Sequence, residues 1–107
     1  MIPILAARIE NGQLHLGVVM PTIDSDCALQ LRAELVRAIE TLRPEIKSVR
    51  LDVSQVLAMS SRGFEALIRL HTSCRDRELK LTLSKLTPTF HRLLERMGFL
   101  RLFTVEQ

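Results

Sequence analysis

Residues 49–64 read Val-Arg-Leu-Asp-Val-Ser-Gln-Val-Leu-Ala-Met-Ser-Ser-Arg-Gly-Phe. Val49, Leu51 and Val53 alternate with Arg50 and Asp52, a period of two that predicts a strand with one buried face. From Phe64 the period changes: Phe64, Leu67, Ile68, His71 and Cys74 or Arg75 recur at spacings of three and four, predicting a helix to about Asp76. Ser54–Met59 connects the two, and Ser60-Ser61-Arg62-Gly63 opens the helix. A strand feeding a helix is the building unit of a parallel α/β sheet.

The same alternation of periods extends in both directions. Upstream, Ile4 to Ile9 and Leu14 to Val19 flank Glu10-Asn11-Gly12-Gln13, and an Asn-Gly pair suits a hairpin turn with positive φ at both central residues. Pro21 stops the second strand, and Thr22–Asp26 offers several N-cap candidates. Ala28, Leu31, Leu35, Ile39 and Leu42 then form one apolar stripe, predicting a helix from about Asp26 to Leu42 that Pro44 ends. Downstream, Leu79–Leu83 alternates as a strand. Thr87-Pro88 supplies an N-cap followed by Pro at the first helical position, and Phe90, Leu93, Leu94 and Met97 follow at helical spacing. Gly98 provides a left-handed stop, and Leu102–Val105 is a last short strand. The predicted order is β-β-α-β-α-β-α-β. It implies an α/β fold with a small mixed sheet of four to five strands, mostly parallel, packed by three to four helices and edged by an antiparallel hairpin.

With 107 residues, 47% of them hydrophobic, residues 1–107 are expected to form a single domain with one core. The start, Met1-Ile2-Pro3-Ile4, lacks the basic region and apolar run of a signal peptide, and no apolar stretch approaches the ~20 residues of a membrane span. The expected location is cytoplasmic, with Cys27 and Cys74 reduced and behaving as small core residues. The net charge is +3, but the arginines are interleaved with Asp and Glu and lack the interspersed aromatics that stack on bases, so no nucleic-acid partner is expected.

Catalytic patterns are missing. There is no phosphate-cradling GxxxxGK[ST] or GxGxxG, and no GxSxG elbow. His15, His71 and His91 lie on different elements. His71 and Cys74 share a helix face but have no second pair to complete a metal site, and the plainer reading puts both in the core or on its rim. Asp52 ends a strand with no partner base, which suits a turn or capping group better than a general acid. No catalytic residue, metal or cofactor is expected, and the protein is not expected to be an enzyme.

The serine turn is different. Serine is a preferred N-cap, so Ser60 or Ser61 can close the helix start, and two adjacent serines exceed what capping requires. A hydroxyl there lies beside backbone N–H groups that tolerate added negative charge.

Leu51-Asp52-Val53-Ser54 followed by Ser60-Ser61-Arg62-Gly63-Phe64 resembles the STAS family, the anti-sigma-factor antagonists and their relatives. In that pattern a strand ending Leu-Asp-Leu-Ser leads through a short apolar connection to Asp-Ser-x-Gly-Leu at a helix start. The likeness continues through Leu79–Leu83 and the Phe90–Phe99 helix with its Met-Gly-Phe exit, covering roughly residues 45 to 104. It implies that Ser61 is the phosphoacceptor, with Ser60 as the second candidate. Ser60 stands where the family most often has Asp, and Arg62 replaces a small residue. The resemblance further implies a partner surface made of Ser60, Ser61, Arg62 and Gly63 with Asp24 and Ser25 from the loop before the first helix. The implied partners are a histidine-kinase-like serine kinase that is also an anti-sigma factor, and a serine phosphatase. Relatives of this kind also serve as constitutive subunits on the cytosolic faces of membrane transport complexes, without inserting into the membrane, which is the alternative role.

Overall fold

The computed structural model describes residues 2–106. A five-stranded sheet is built from β1 (Leu5–Glu10), β2 (Gln13–Val18), β4 (Ser48–Asp52), β6 (Lys80–Ser84) and β7 (Thr104–Glu106). These stand side by side in the order β1-β2-β4-β6-β7. β1 and β2 pair antiparallel, and every other pair is parallel. Three helices accompany it: α1 (Ser25–Glu40), α2 (Ser61–Asp76) and α3 (Pro88–Arg96). The mixed α/β architecture is the expected one.

The hairpin turn follows its chemistry. Asn11 and Gly12 have φ of 53° and 74°, the paired left-handed conformation that a two-residue hairpin loop requires. Register then places Leu14, Leu16 and Val18 of β2 alongside Val49 and Leu51 of β4, which align with Leu81 and Leu83 of β6. All seven are buried and form the sheet's contribution to the core. The opposite face carries Arg8, His15, Arg50 and Thr82 in one cross-strand row. The alternation of Leu79–Leu83 predicts an exposed polar side for β6, yet Thr82 and Ser84 are buried. β6 is an inner strand, and the longer side chain of Arg50, ion-paired with Glu106 at the sheet edge, lies across this region.

α1 buries Ala28, Leu31, Leu35 and Ile39 of the predicted stripe, while Leu42 falls beyond the helix end at Glu40 and is half-buried. α2 buries more than its predicted face: Ala66 and Leu70 are covered as well as Phe64, Leu67 and Cys74, whereas Ile68 and His71 are half-buried. The cause is a second neighbour, since α2 packs on α1 as well as on the sheet. The two helices run parallel. Arg77, just beyond α2, donates to the Ile39 carbonyl in the last turn of α1 (3.3 Å), so the two C-termini meet. The half-buried Glu34 of α1 accepts the backbone N–H groups of Ile4 (3.2 Å) and Leu5 (3.0 Å), anchoring the start of the hairpin.

α3 is joined to α2 through aromatic packing. Phe64 stacks on Phe90 at 6.1 Å between ring centroids and meets Phe99 at 5.5 Å. Gly98 adopts φ 76° after α3, as its position predicts. The last strand begins later than residue 102, because Leu100–Leu102 winds into a short 3-10 turn and Phe103 is buried with its ring against His71 at 5.6 Å. Of the two cysteines expected in the core, Cys74 is there, and burial pushes its thiol up to about 11. Cys27 is only partly covered because it lies in the first turn of α1, ahead of the buried stripe.

Two short strands were not legible from periodicity. β3 (Thr22–Ile23) and β5 (Ala58–Met59) form a separate parallel pair. They occupy the segments expected to be a capping loop and a plain connection.

Phe90 is fully buried and stacked on Phe64 in the aromatic cluster. Phe90→Ala should therefore cost about 3–5 kcal/mol, read as a lowered urea midpoint with an unchanged slope.

Candidate functional site

The small parallel pair determines where both long helices begin. Thr22 aligns with Ala58, and Ile23 with Met59. The N–H groups of Leu57 and Ala58 donate to the Pro21 carbonyl (2.8 and 3.1 Å), and that of Ser60 donates to the Ile23 carbonyl (2.7 Å). Ile23 and Met59 face inward and are buried. The next residue on each strand is an N-cap: Asp24 for α1 and Ser60 for α2. Adjacent strands are about 4.8 Å apart, so the two helix starts emerge side by side at one end of the molecule. Asp24 and Ser25 thereby join Ser60, Ser61 and Arg62 on one surface.

The two caps differ in charge. The Asp24 carboxylate accepts the Cys27 N–H at 2.8 Å, and Asp26 adds a second acid in the first turn of α1. The Cys27 backbone N–H, followed by its thiol, holds the Asp24 carboxyl below the usual range. The same contact raises the Cys27 thiol, opposing the acidity that a helix N-terminus ordinarily confers. α2 begins instead with neutral Ser60, whose Oγ accepts the Gly63 N–H at 3.3 Å, and has no acid in its first turn. Arg62 adds a cation there and is exposed. Parallel helices present N-terminal poles of roughly +0.5 charge each; acids offset that of α1, whereas that of α2 is left positive.

The adjacent serines have separate roles. Ser60 is half-buried and spends its hydroxyl on the cap. Ser61 occupies the first position of the helix, is exposed, and among the described residues has no side-chain hydrogen bond. Gly63, expected on the partner surface, is buried in the first turn of α2. Its importance is steric. A Cβ there would collide with Met59 Cγ and stand 3.1 Å from Ile23 Cγ2, so only glycine lets α2 start this close to the small parallel pair.

Asp52 is a turn residue, as its strand-end position suggested. It accepts the Ser54 N–H at 2.8 Å and lies 3.7 Å from Lys85 Nζ. Partial burial acts to raise its pKa, but the Ser54 hydrogen bonds and the Lys85 ammonium outweigh that and leave it lowered. Thr87 caps α3 by accepting the Phe90 N–H (3.0 Å) and donates to the Val56 carbonyl (2.9 Å), tying that helix to the connection that carries β5. Among the described residues no group of three or more His, Cys, Asp or Glu is placed to hold a metal ion, and no helix is long and apolar enough to cross a membrane.

A family model described as the STAS domain matches residues 7–107. Among solved structures, an anti-sigma-factor antagonist (STAS) domain protein from Planctomyces limnophilus superposes with a TM-score of 0.82 at 14% identity, over 94% of this chain and 87% of that one. The phosphorylated form of the Bacillus cell fate determinant SpoIIAA superposes at 0.68 with 12% identity, over 96% and 91%. A sulfate transporter family protein from Wolinella succinogenes does so at 0.73 with 20% identity, over 88% and 73%. No curated protein matches the sequence.

Two outcomes are expected. Ser60→Ala removes the cap and should cost about 1 kcal/mol, whereas Ser61→Ala should stay within about 0.5 kcal/mol; urea titration of both variants checks this. Asp24 and Asp52 have lowered folded-state pKa values, so each adds stability above its unfolded pKa and loses it as pH falls through the folded value. Stability should hold down to about pH 5 and decline below about pH 4, and Asp52→Asn should shallow that decline.

Proposed function

The chain belongs to the STAS domain family, and we propose that it is an anti-sigma-factor-antagonist-like binding module switched by phosphorylation of Ser61. The observation that carries this reading is the division between the two serines. Ser60 is committed to the cap, and Ser61 presents an exposed hydroxyl at the start of a helix whose first turn has no acid.

The surface around Ser61 is suited to both states. Unmodified, the α2 N-terminus and Arg62 attract a carboxylate on a partner, and the neighbouring Asp24 and Ser25 offer acceptors for its donors. Phosphorylation adds about −1.5 to −2 charge at a point where backbone N–H groups and Arg62 accommodate it. The domain keeps its fold, and a partner carboxylate formerly attracted to the turn is repelled. At about 4 Å and an effective dielectric near 20, each charge pair amounts to roughly 4 kcal/mol. Since about 1.4 kcal/mol is tenfold in affinity, one such pair releases a micromolar complex. The likeness of this fold to SpoIIAA in both its unphosphorylated and its phosphorylated form supports a switch without refolding.

The partner in this reading is a serine kinase of the histidine-kinase-like ATPase class acting as an anti-sigma factor, with a serine phosphatase reversing the mark. The module itself carries no catalysis and works in the cytoplasm. The likeness to a sulfate transporter family protein supports a second reading, a constitutive subunit of a membrane transport complex in which the serine turn is permanently packed.

Protein isolated from its native cells should carry an added phosphoryl mass of ~80 Da on Ser61 in a growth-dependent fraction. Ser61→Asp should weaken kinase binding by tenfold or more, whereas Ser61→Ala should bind and never release. Absence of the mark under all growth conditions, with Ser61→Asp still binding the native partner, would select the constitutive role; a mark confined to Ser60 would refute the assignment to Ser61.

A further inference from the structure

The outward side of α1 carries a second apolar stripe that the core does not use. Leu29, Ala33 and Val36 recur at spacings of four and three, and Leu29 and Val36 remain 64% and 38% exposed. They line a shallow depression together with Arg32 and Arg37. Arg32 and Val36 also border the narrow groove between α1 and α2, whose far wall is Ala66, Arg69 and Ser73. Arg32, Arg37 and Arg69 take part in no ion pair among the described residues. Glu40 closes one end of the depression, leaving the patch with an excess of positive charge around an apolar centre.

We infer that this α1–α2 face docks an amphipathic helix from a different protein, with its apolar stripe on Leu29, Ala33 and Val36 and flanking carboxylates on Arg32, Arg37 and Arg69. The stripe spans eight residues, about 10 Å or two helical turns from Leu29 to Val36, which matches one face of a short helix. The small Ala33 at its centre allows a partner backbone to approach closely. A second copy of this chain is the poorer occupant, because each side brings Arg32, Arg37 and Arg69 against the single carboxylate of Glu40 and leaves like charges in excess. The face lies beside the serine turn but does not depend on Ser61, so it goes beyond the switch and stands or falls separately.

The probe is a helix-forming peptide of about five turns with Leu at i, i+3, i+4 and i+7 flanked by Glu, together with a counterpart carrying Lys in place of Glu. Each is titrated into the full isotope-labelled chain and followed by amide chemical shifts. The Glu peptide should shift Leu29, Arg32, Val36 and Arg69, and the Arg32→Glu/Arg69→Glu protein should bind it at least tenfold more weakly. All mutated side chains are exposed, so the fold is kept, and Ser61→Ala and Ser61→Asp proteins should bind the peptide as the parent does. No shift at millimolar peptide, equal binding of the Lys peptide, or shifts on the open face of the sheet would each overturn the inference. So would concentration-dependent shifts of the same amides without peptide, which mean self-association, or binding to anionic phosphatidylserine vesicles in place of the peptide.

Discussion

The pairing of Thr22–Ile23 with Ala58–Met59 is the constraint on which the candidate functional end of this domain depends. Its backbone hydrogen bonds contribute only about 0.5–1.5 kcal/mol each, too little to hold two helices in place. The burial of Ile23 and Met59 and the close seating of Gly63 against both add the rest. Because the strands are parallel and in register, the residues that follow them become two neighbouring N-caps. A one-residue slip would turn Ile23 outward and send the two helix starts in different directions.

From that constraint follows the electrostatic asymmetry of the surface. Parallel helices align their dipoles, an arrangement that concentrates positive potential at one end. Asp24 and Asp26 offset it at α1, while α2 keeps it beside an exposed hydroxyl and Arg62. The replacement of the family's usual acid by Ser60 therefore has a structural consequence: the cap is retained through a hydroxyl, and the local charge becomes more positive. An anionic group placed at this turn is favoured by that charge.

Much of the fold was legible in the chain because single elements are governed by local rules. The Asn11-Gly12 turn, the α1 stripe, the Thr87-Pro88 start and the Gly98 stop all lie where their chemistry predicts. Most of the misses share a cause, which is that a neighbour distant in sequence changed the outcome. Ala66 and Leu70 are buried by α1, Thr82 and Ser84 are covered on an inner strand, and the last strand yields to the burial of Phe103. β3 and β5 are two residues each, too short for any period to register.

The sequence by itself determined the alternation of strands and helices, the serine turn at a helix head, and its resemblance to one family, because spacing and capping chemistry act over a few residues. It left open which serine caps and which is free, since two adjacent serines satisfy the same local rule. Only the tertiary structure decided that. The Ser60 N–H is held by Ile23, Gly63 is drawn in against Met59, and the first turn of α2 is thereby oriented with Ser60 inward on the cap and Ser61 outward. Asp24 and Ser25 lie beside the serine turn for the same reason: Asp24 and Ser60 are thirty-six positions apart along the chain, and only the pairing of two short strands brings them side by side.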